Sequence, residues 1–114
     1  MTFSRGDVVT VASGGGFAGK PRPALVVQGD DWSDLSTVVV LLFTTHEATH
    51  PLLRPEYTPS AANGLHKTSR LMAHAPQTVR VSEVGERIGA LTPAEMDEVD
   101  RLLLLLLGLV RLAS

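Results

Sequence analysis

The run Ser36-Thr37-Val38-Val39-Val40-Leu41-Leu42-Phe43-Thr44 constrains this chain more than any other stretch. It holds no charge, glycine or proline, and it is dominated by β-branched and large apolar side chains. Such a segment reads as a buried central strand. Candidate neighbours lie on both sides of it. Asp7–Ala12 alternates, Pro23–Gln28 is apolar and β-branched, and Lys67–Ala73 follows an Asn63-Gly64 turn signal. Gln77–Val81 and Arg87–Leu91 are shorter strand candidates. Between them, Ser13-Gly14-Gly15-Gly16 predicts an exposed loop, and the polar break at Asp30–Asp34 has room for a helical turn. Pro51, Pro55 and Pro59 leave 46–63 at most an interrupted edge strand and a long loop. Several short strands in succession predict a small, strongly bent sheet or barrel.

The tail follows a different pattern. Thr92-Pro93-Ala94-Glu95 combines an N-cap, a proline at the first helical position and a capping-box glutamate. Acids fill the first turns, where the helix dipole favours them. The periodicity predicts a helix to Leu112, with one stripe at Met96, Val99, Leu103, Leu106 and Val110 and a second at Leu102, Leu105, Leu109 and Leu112. Two apolar faces exceed what packing on one small sheet requires. The second face therefore either buries deeply or serves a subunit interface, and the interface is the expectation.

With 114 residues there is room for one core, so 1–114 is expected to be a single domain. The absence of cysteine removes disulfides, thiolate metal sites and a thiol nucleophile. The opening Met-Thr-Phe-Ser-Arg-Gly-Asp carries no apolar signal core, and the leucine-rich tail falls short of the roughly 18 apolar residues of a spanning helix. A cytoplasmic location and no membrane partner are expected. The net charge of −2 argues against a protein that coats nucleic acid through a broad basic surface. The charges are unevenly placed, however. Residues 91–114 carry four acids and two bases, whereas Lys20, Arg22, Arg54, Lys67, Arg70 and Arg80 are left to build a local basic groove.

Gly19-Lys20-Pro21-Arg22-Pro23-Ala24-Leu25-Val26-Val27 gives that groove a fixed point. Arg22 stands between two prolines that set the neighbouring backbone, at the entry to an apolar strand. A guanidinium on a stiff strand presents a planar fork of donors to an oxyanion or phosphate. His46-Glu47-Ala48-Thr49-His50 matches the H-E-x-x-H pattern of zinc proteases, but that chemistry needs both histidines on one helical face. Here the motif directly follows a strand-type run, and Pro51 disfavours helical geometry at His50. In an extended segment the two histidines would stand about 13 Å apart. No metal site is expected.

Arg5-Gly6-Asp7-Val8-Val9, the glycine loop, Gly19 to Gln28, the strand ending Phe43-Thr44-Thr45, Asn63-Gly64-Leu65-His66-Lys67-Thr68-Ser69-Arg70 and Pro76-Gln77-Thr78-Val79 occur in an order that resembles the MazF/PemK toxins. The resemblance runs nearly the whole chain, to Val99-Asp100-Arg101. It implies a mainly β, α+β fold: an SH3-like small β-barrel with a C-terminal α-helix, forming a homodimer. It also implies a toxin of a type II toxin–antitoxin system. The implied activity is sequence-specific endoribonuclease cleavage of single-stranded RNA, checked by a cognate antitoxin. No cofactor is implied; the 2′-hydroxyl attacks the adjacent phosphate and leaves a 2′,3′-cyclic phosphate and a 5′-hydroxyl.

On this resemblance Arg22 matches the catalytic arginine and Thr44 the catalytic threonine. Preorganised donors of this kind stabilise charge on the non-bridging phosphate oxygens. Some PemK-type members place an arginine and an aspartate just before the proline that matches Pro76. The ungapped positions here are Met72 and His74, so His74 is the expected replacement base. Lys20, Thr45, Lys67, Ser69, Arg70 and Gln77 are the candidate RNA-binding residues. Two rivals remain: a gyrase poison like CcdB, whose aromatic-glycine-apolar end is missing from Arg111-Leu112-Ala113-Ser114, and a degenerate relative that only binds a partner.

Overall fold

The computed structural model describes residues 3–12, 21–46 and 51–111. Seven strands precede one helix: β1 (Asp7–Val11), β2 (Arg22–Val26), β3 (Thr37–Thr44), β4 (Glu56–Tyr57), β5 (Ser69–Leu71), β6 (Gln77–Arg80), β7 (Val84–Ala90) and α1 (Pro93–Leu106). The strand order is β4-β5-β3-β2-β1-β7, every pairing is antiparallel, and β6 also pairs with β3. The expected central strand is thus the hub. One edge of β3 carries β2, while its other edge carries β6 along Thr37–Val40 and β5 at Phe43–Thr44. The result is a curled antiparallel sheet, a half-barrel, with one C-terminal helix.

Alternation along the strands builds two cores, one on each face. Val8, Leu25, Leu41, Phe43 and Leu71 pack with Met96, Val99 and Leu102 of α1. Val9, Val11, Ala24, Val26, Val38, Val40, Leu42 and Val79 form the other cluster. Burial on both faces explains why β3 reads as an unbroken apolar run rather than as an alternating one. Full burial of side chains such as Leu25, Leu41 and Phe43 contributes roughly 1.5–3 kcal/mol each.

The open side of the curl is sealed by a loop. Residues 58–65 lie against β7: the Ala90 amide donates to the Ala62 carbonyl at 2.8 Å. Gly64, at φ +69°, comes so close that a Cβ would stand 2.0 Å from the Ile88 carbonyl oxygen, and a Cβ at Gly89 would stand 2.3 Å from the Asn63 backbone. Buried Asn63 braces the loop from within. Its Oδ1 accepts from the Ser60 and Leu65 amides, both at 3.0 Å, and its Nδ2 donates to the Thr58 carbonyl at 2.9 Å. Asn63-Gly64 is therefore a turn, as expected, but one that closes the sheet rather than a hairpin.

Thr92 and Glu95 cap α1 reciprocally, with Pro93 in the first turn. Arg5 ties the N-terminal segment to the helix. Its Nε donates to the Val27 carbonyl at 3.0 Å and its guanidinium pairs with Asp100. The helix ends at Leu106, earlier than its periodicity predicts, because Gly108 adopts φ +74°. Its amide and that of Leu109 turn back to the Leu105 and Leu104 carbonyls at 3.1 and 2.9 Å, a glycine stop. Both apolar stripes are cut there. Met96, Val99 and Leu102 are buried, while Leu104, Leu107, Leu109 and Val110 are exposed, and Leu112 lies outside the described residues. None of the described helices is long and apolar enough to cross a membrane.

Candidate active site

Register determines what meets at the end of the central strand. The β2–β3 pairing sets Ala24 opposite Leu42; carried two residues further, it sets Arg22 opposite Thr44. On the other edge of β3, Thr44 pairs with Arg70 of β5, and Arg70 pairs in turn with Glu56 of β4. Directly opposed residues of antiparallel strands share a face. Arg22, Thr44, Arg70 and Glu56 therefore form one row across four adjacent strands, spaced about 4.8 Å apart.

Arg22 and Thr44 line the same cleft, of about 180 Å³, together with Pro23, Phe43, Thr45, His46 and Ser69. Thr44 is buried. Its Oγ1 accepts the His46 amide at 3.2 Å, which occupies one lone pair and leaves the O–H to donate outward. Ser69 donates its hydroxyl to the Lys67 carbonyl at 2.8 Å. Arg70 stands beside the cleft, its Nη2 3.1 Å from Glu56 Oε1. An apolar groove of about 460 Å³ adjoins, sharing Pro23, Thr45 and Ser69 with the cleft and adding Pro21, Leu65, Lys67 and Ile88.

Of the residues anticipated from sequence, Arg22, Thr44, Thr45 and Ser69 converge in the cleft, Lys67 lines the adjoining groove and Arg70 stands next in the row. His74 and Gln77 stand apart. Gln77 pairs with Val40, four residues along β3 from Thr44, or about 13 Å of strand. His74 is exposed in the segment that joins β5 to β6 and does not line the cleft. Lys20 falls outside the described residues. His46 lines the cleft, although sequence reasoning considers it only within a zinc pattern; its place two residues past Thr44 is the available signal. Among the described residues, no group of three or more histidines, cysteines, aspartates or glutamates is arranged to hold a metal ion.

The central strand of the half-barrel thus brings a hydroxyl and a guanidinium to one cleft, to which none of the described residues contributes a carboxylate. The chain belongs to the PemK-like, MazF-like toxin family of type II toxin–antitoxin systems, matching it over residues 4–107. It is 41% identical over 105 residues to the probable endoribonuclease MazF of Mycolicibacterium smegmatis, covering 92% of this chain and 96% of that one. It is 29% identical over 106 residues to endoribonuclease MazF6 of Mycobacterium tuberculosis, covering 89% and 93% of the two chains. Its backbone matches an endoribonuclease solved in complex with its cognate antitoxin from a Mycobacterial species. That match has a TM-score of 0.78 at 28% identity and covers 95% and 97% of the two chains. These relatives favour the ribonuclease reading over a gyrase poison.

Proposed function

We propose that this chain is the toxin of a type II toxin–antitoxin pair and cleaves single-stranded RNA without a cofactor, by attack of a 2′-hydroxyl on the adjacent phosphate. The observation that carries this reading is the shared cleft of Arg22 and Thr44, fixed by the β2–β3 register. The guanidinium fork meets two phosphate oxygens while the Thr44 hydroxyl, oriented by the His46 amide, donates to a third atom of the same group. Negative charge that grows on those oxygens in the transition state meets donors already in place. Lys67 and Arg70 extend the cationic track to flanking phosphates, and Thr45, Ser69 and the apolar groove offer surfaces to splayed bases. Lys20 and Gln77 remain candidates for contacts further along the strand.

The same reading assigns a cognate antitoxin as protein partner, a second copy of the chain as the cover for exposed Leu104, Leu107 and Leu109, and the cytoplasm as the working compartment. The test is incubation of the purified protein with a long RNA in EDTA. Cleavage to 2′,3′-cyclic phosphate and 5′-hydroxyl ends is expected. Arg22→Ala is expected to keep the fold and antitoxin binding while losing about 10²–10³-fold in rate. Undiminished cleavage by that variant removes Arg22 from the chemistry.

A further inference from the structure

The cleft is rich in donors and poor in acceptors. Arg22 has only donors. Thr44 Oγ1 already accepts the His46 amide, and the Ser69 hydroxyl donates to the Lys67 carbonyl. Among the described residues, no carboxylate lines the cleft: Glu56 stands two strands from Thr44, paired with Arg70. Yet the attacking 2′-hydroxyl must surrender a proton. Among the described lining residues only the exposed imidazole of His46 can accept one, and its backbone is tied to the Thr44 hydroxyl through the 3.2 Å hydrogen bond.

We infer that His46 is the general base of this site, a role that rests on the nuclease reading above. As the 2′ oxygen bonds to phosphorus, its proton passes to the free nitrogen of the His46 ring. The bond from phosphorus to the 5′ oxygen breaks, and the departing oxygen takes a proton from water. The imidazolium then returns its proton to solvent. No electrons are gained or lost. The titratable and charged groups around the ring, among the described residues, are Arg22 in the cleft, His66 and Lys67 in the adjoining groove, and the Arg70–Glu56 pair next along the row. A base that works only in its neutral form makes the rate rise with pH on the acid side and level off above it.

The experiment measures single-turnover cleavage of an RNA between pH 5 and 9 by the wild type, His46→Gln, His46→Ala and His74→Gln, with RNA affinity and thermal unfolding followed alongside. His46→Gln is expected to lose about 100-fold or more in rate and the rising acid limb, with affinity and unfolding temperature retained. Free imidazole is expected to restore cleavage to His46→Ala, which a purely structural role would not allow. A wild type that cleaves while His46→Gln keeps its rate and acid limb overturns the assignment and leaves the nuclease reading intact. Loss of the acid limb on His74→Gln alone overturns it in favour of that residue. A wild type that cleaves no RNA overturns the nuclease reading itself.

Discussion

Arg70 offers a test of the row across the sheet that does not depend on the chemical step. Its Cα stands directly opposite Thr44, on the side away from Arg22, so a phosphate seated at Thr44 has a guanidinium on each flank. On the proposed reading Arg22, in the cleft, serves the scissile phosphate, and Arg70, outside the cleft lining, serves the next one along the strand. Its contact with Glu56 is a single Nη2–Oε1 approach at 3.1 Å, with half of the Glu56 side chain exposed. Such surface pairs contribute about 0.2–1 kcal/mol, too little to withhold the rest of the guanidinium fork from an RNA phosphate.

Arg70→Gln should therefore remove one phosphate contact. For a single strand, each contact contributes about 0.7 to the slope of log affinity against log salt. Over a fourfold increase in salt, from about 50 to 200 mM, the advantage of wild type over variant should shrink about 2.6-fold. The assay is equilibrium binding of an RNA carrying a 2′-deoxy substitution at the scissile position, titrated at several salt concentrations. Glu56→Gln serves as the partner variant: it keeps the phosphate contact and relieves Arg70 of a competing carboxylate, so it should keep the slope and bind no more weakly than wild type. Parallel salt lines for wild type and Arg70→Gln would refute the placement of Arg70 on the RNA path.

Two further outcomes follow from the scaffold. Asn63→Ala deletes three buried side-chain hydrogen bonds that brace the sealing loop, and at about 1 kcal/mol each it should lower unfolding free energy by about 3 kcal/mol. Chemical denaturation checks this, and a loss below about 1 kcal/mol would show that solvent replaces the brace. Burial, reinforced by Glu95 and Glu98, pushes the Tyr57 phenol up to about 12. The folded chain thus holds that proton longer than the unfolded chain, in which the single tyrosine ionises near pH 10. The resulting stability is present in full below about pH 10 and is lost as pH rises through 12, on the order of 2–3 kcal/mol. Phenolate absorbance should follow the same course, and Tyr57→Phe should remove that part of the alkaline slope.

Much of this architecture was legible in the residues, and the misses differ in cause. β3, the capped start of α1 and the Asn63-Gly64 turn are each specified by local chemistry: apolar continuity, a capping box and a positive-φ glycine. The early helix stop was also local, since Gly108 sits where a C-cap glycine belongs, but the leucine periodicity on either side masked it. The composition of the cleft was less accessible because it depends on register between strands distant in sequence. Arg22 stands out in the sequence between its two prolines, whereas Thr44 enters only through the resemblance. Their opposition, and the row that continues to Arg70 and Glu56, exists only once three pairings are known. His46 was missed for a local reason: it stands two residues past Thr44, but it was weighed only as part of the zinc pattern, which the strand context ruled out.

Register also makes the site a consequence of the core. A strand slipped by one residue turns every side chain to the opposite face. If β2 slipped by one against β3, Arg22 would leave the face of Thr44, and Ala24 and Val26 would also leave the cluster they share with Val40 and Leu42. Those apolar contacts lie two to four residues inside the Arg22–Thr44 pair and are fully buried or nearly so. Burying one such side chain contributes about as much as the free energy that separates a tenfold from a hundredfold change in rate. The packing that holds the sheet together therefore fixes the separation of guanidinium and hydroxyl more firmly than any contact those two groups could make with each other. Volume-changing substitutions at Ala24 or Leu42 should accordingly damage cleavage before they unfold the chain.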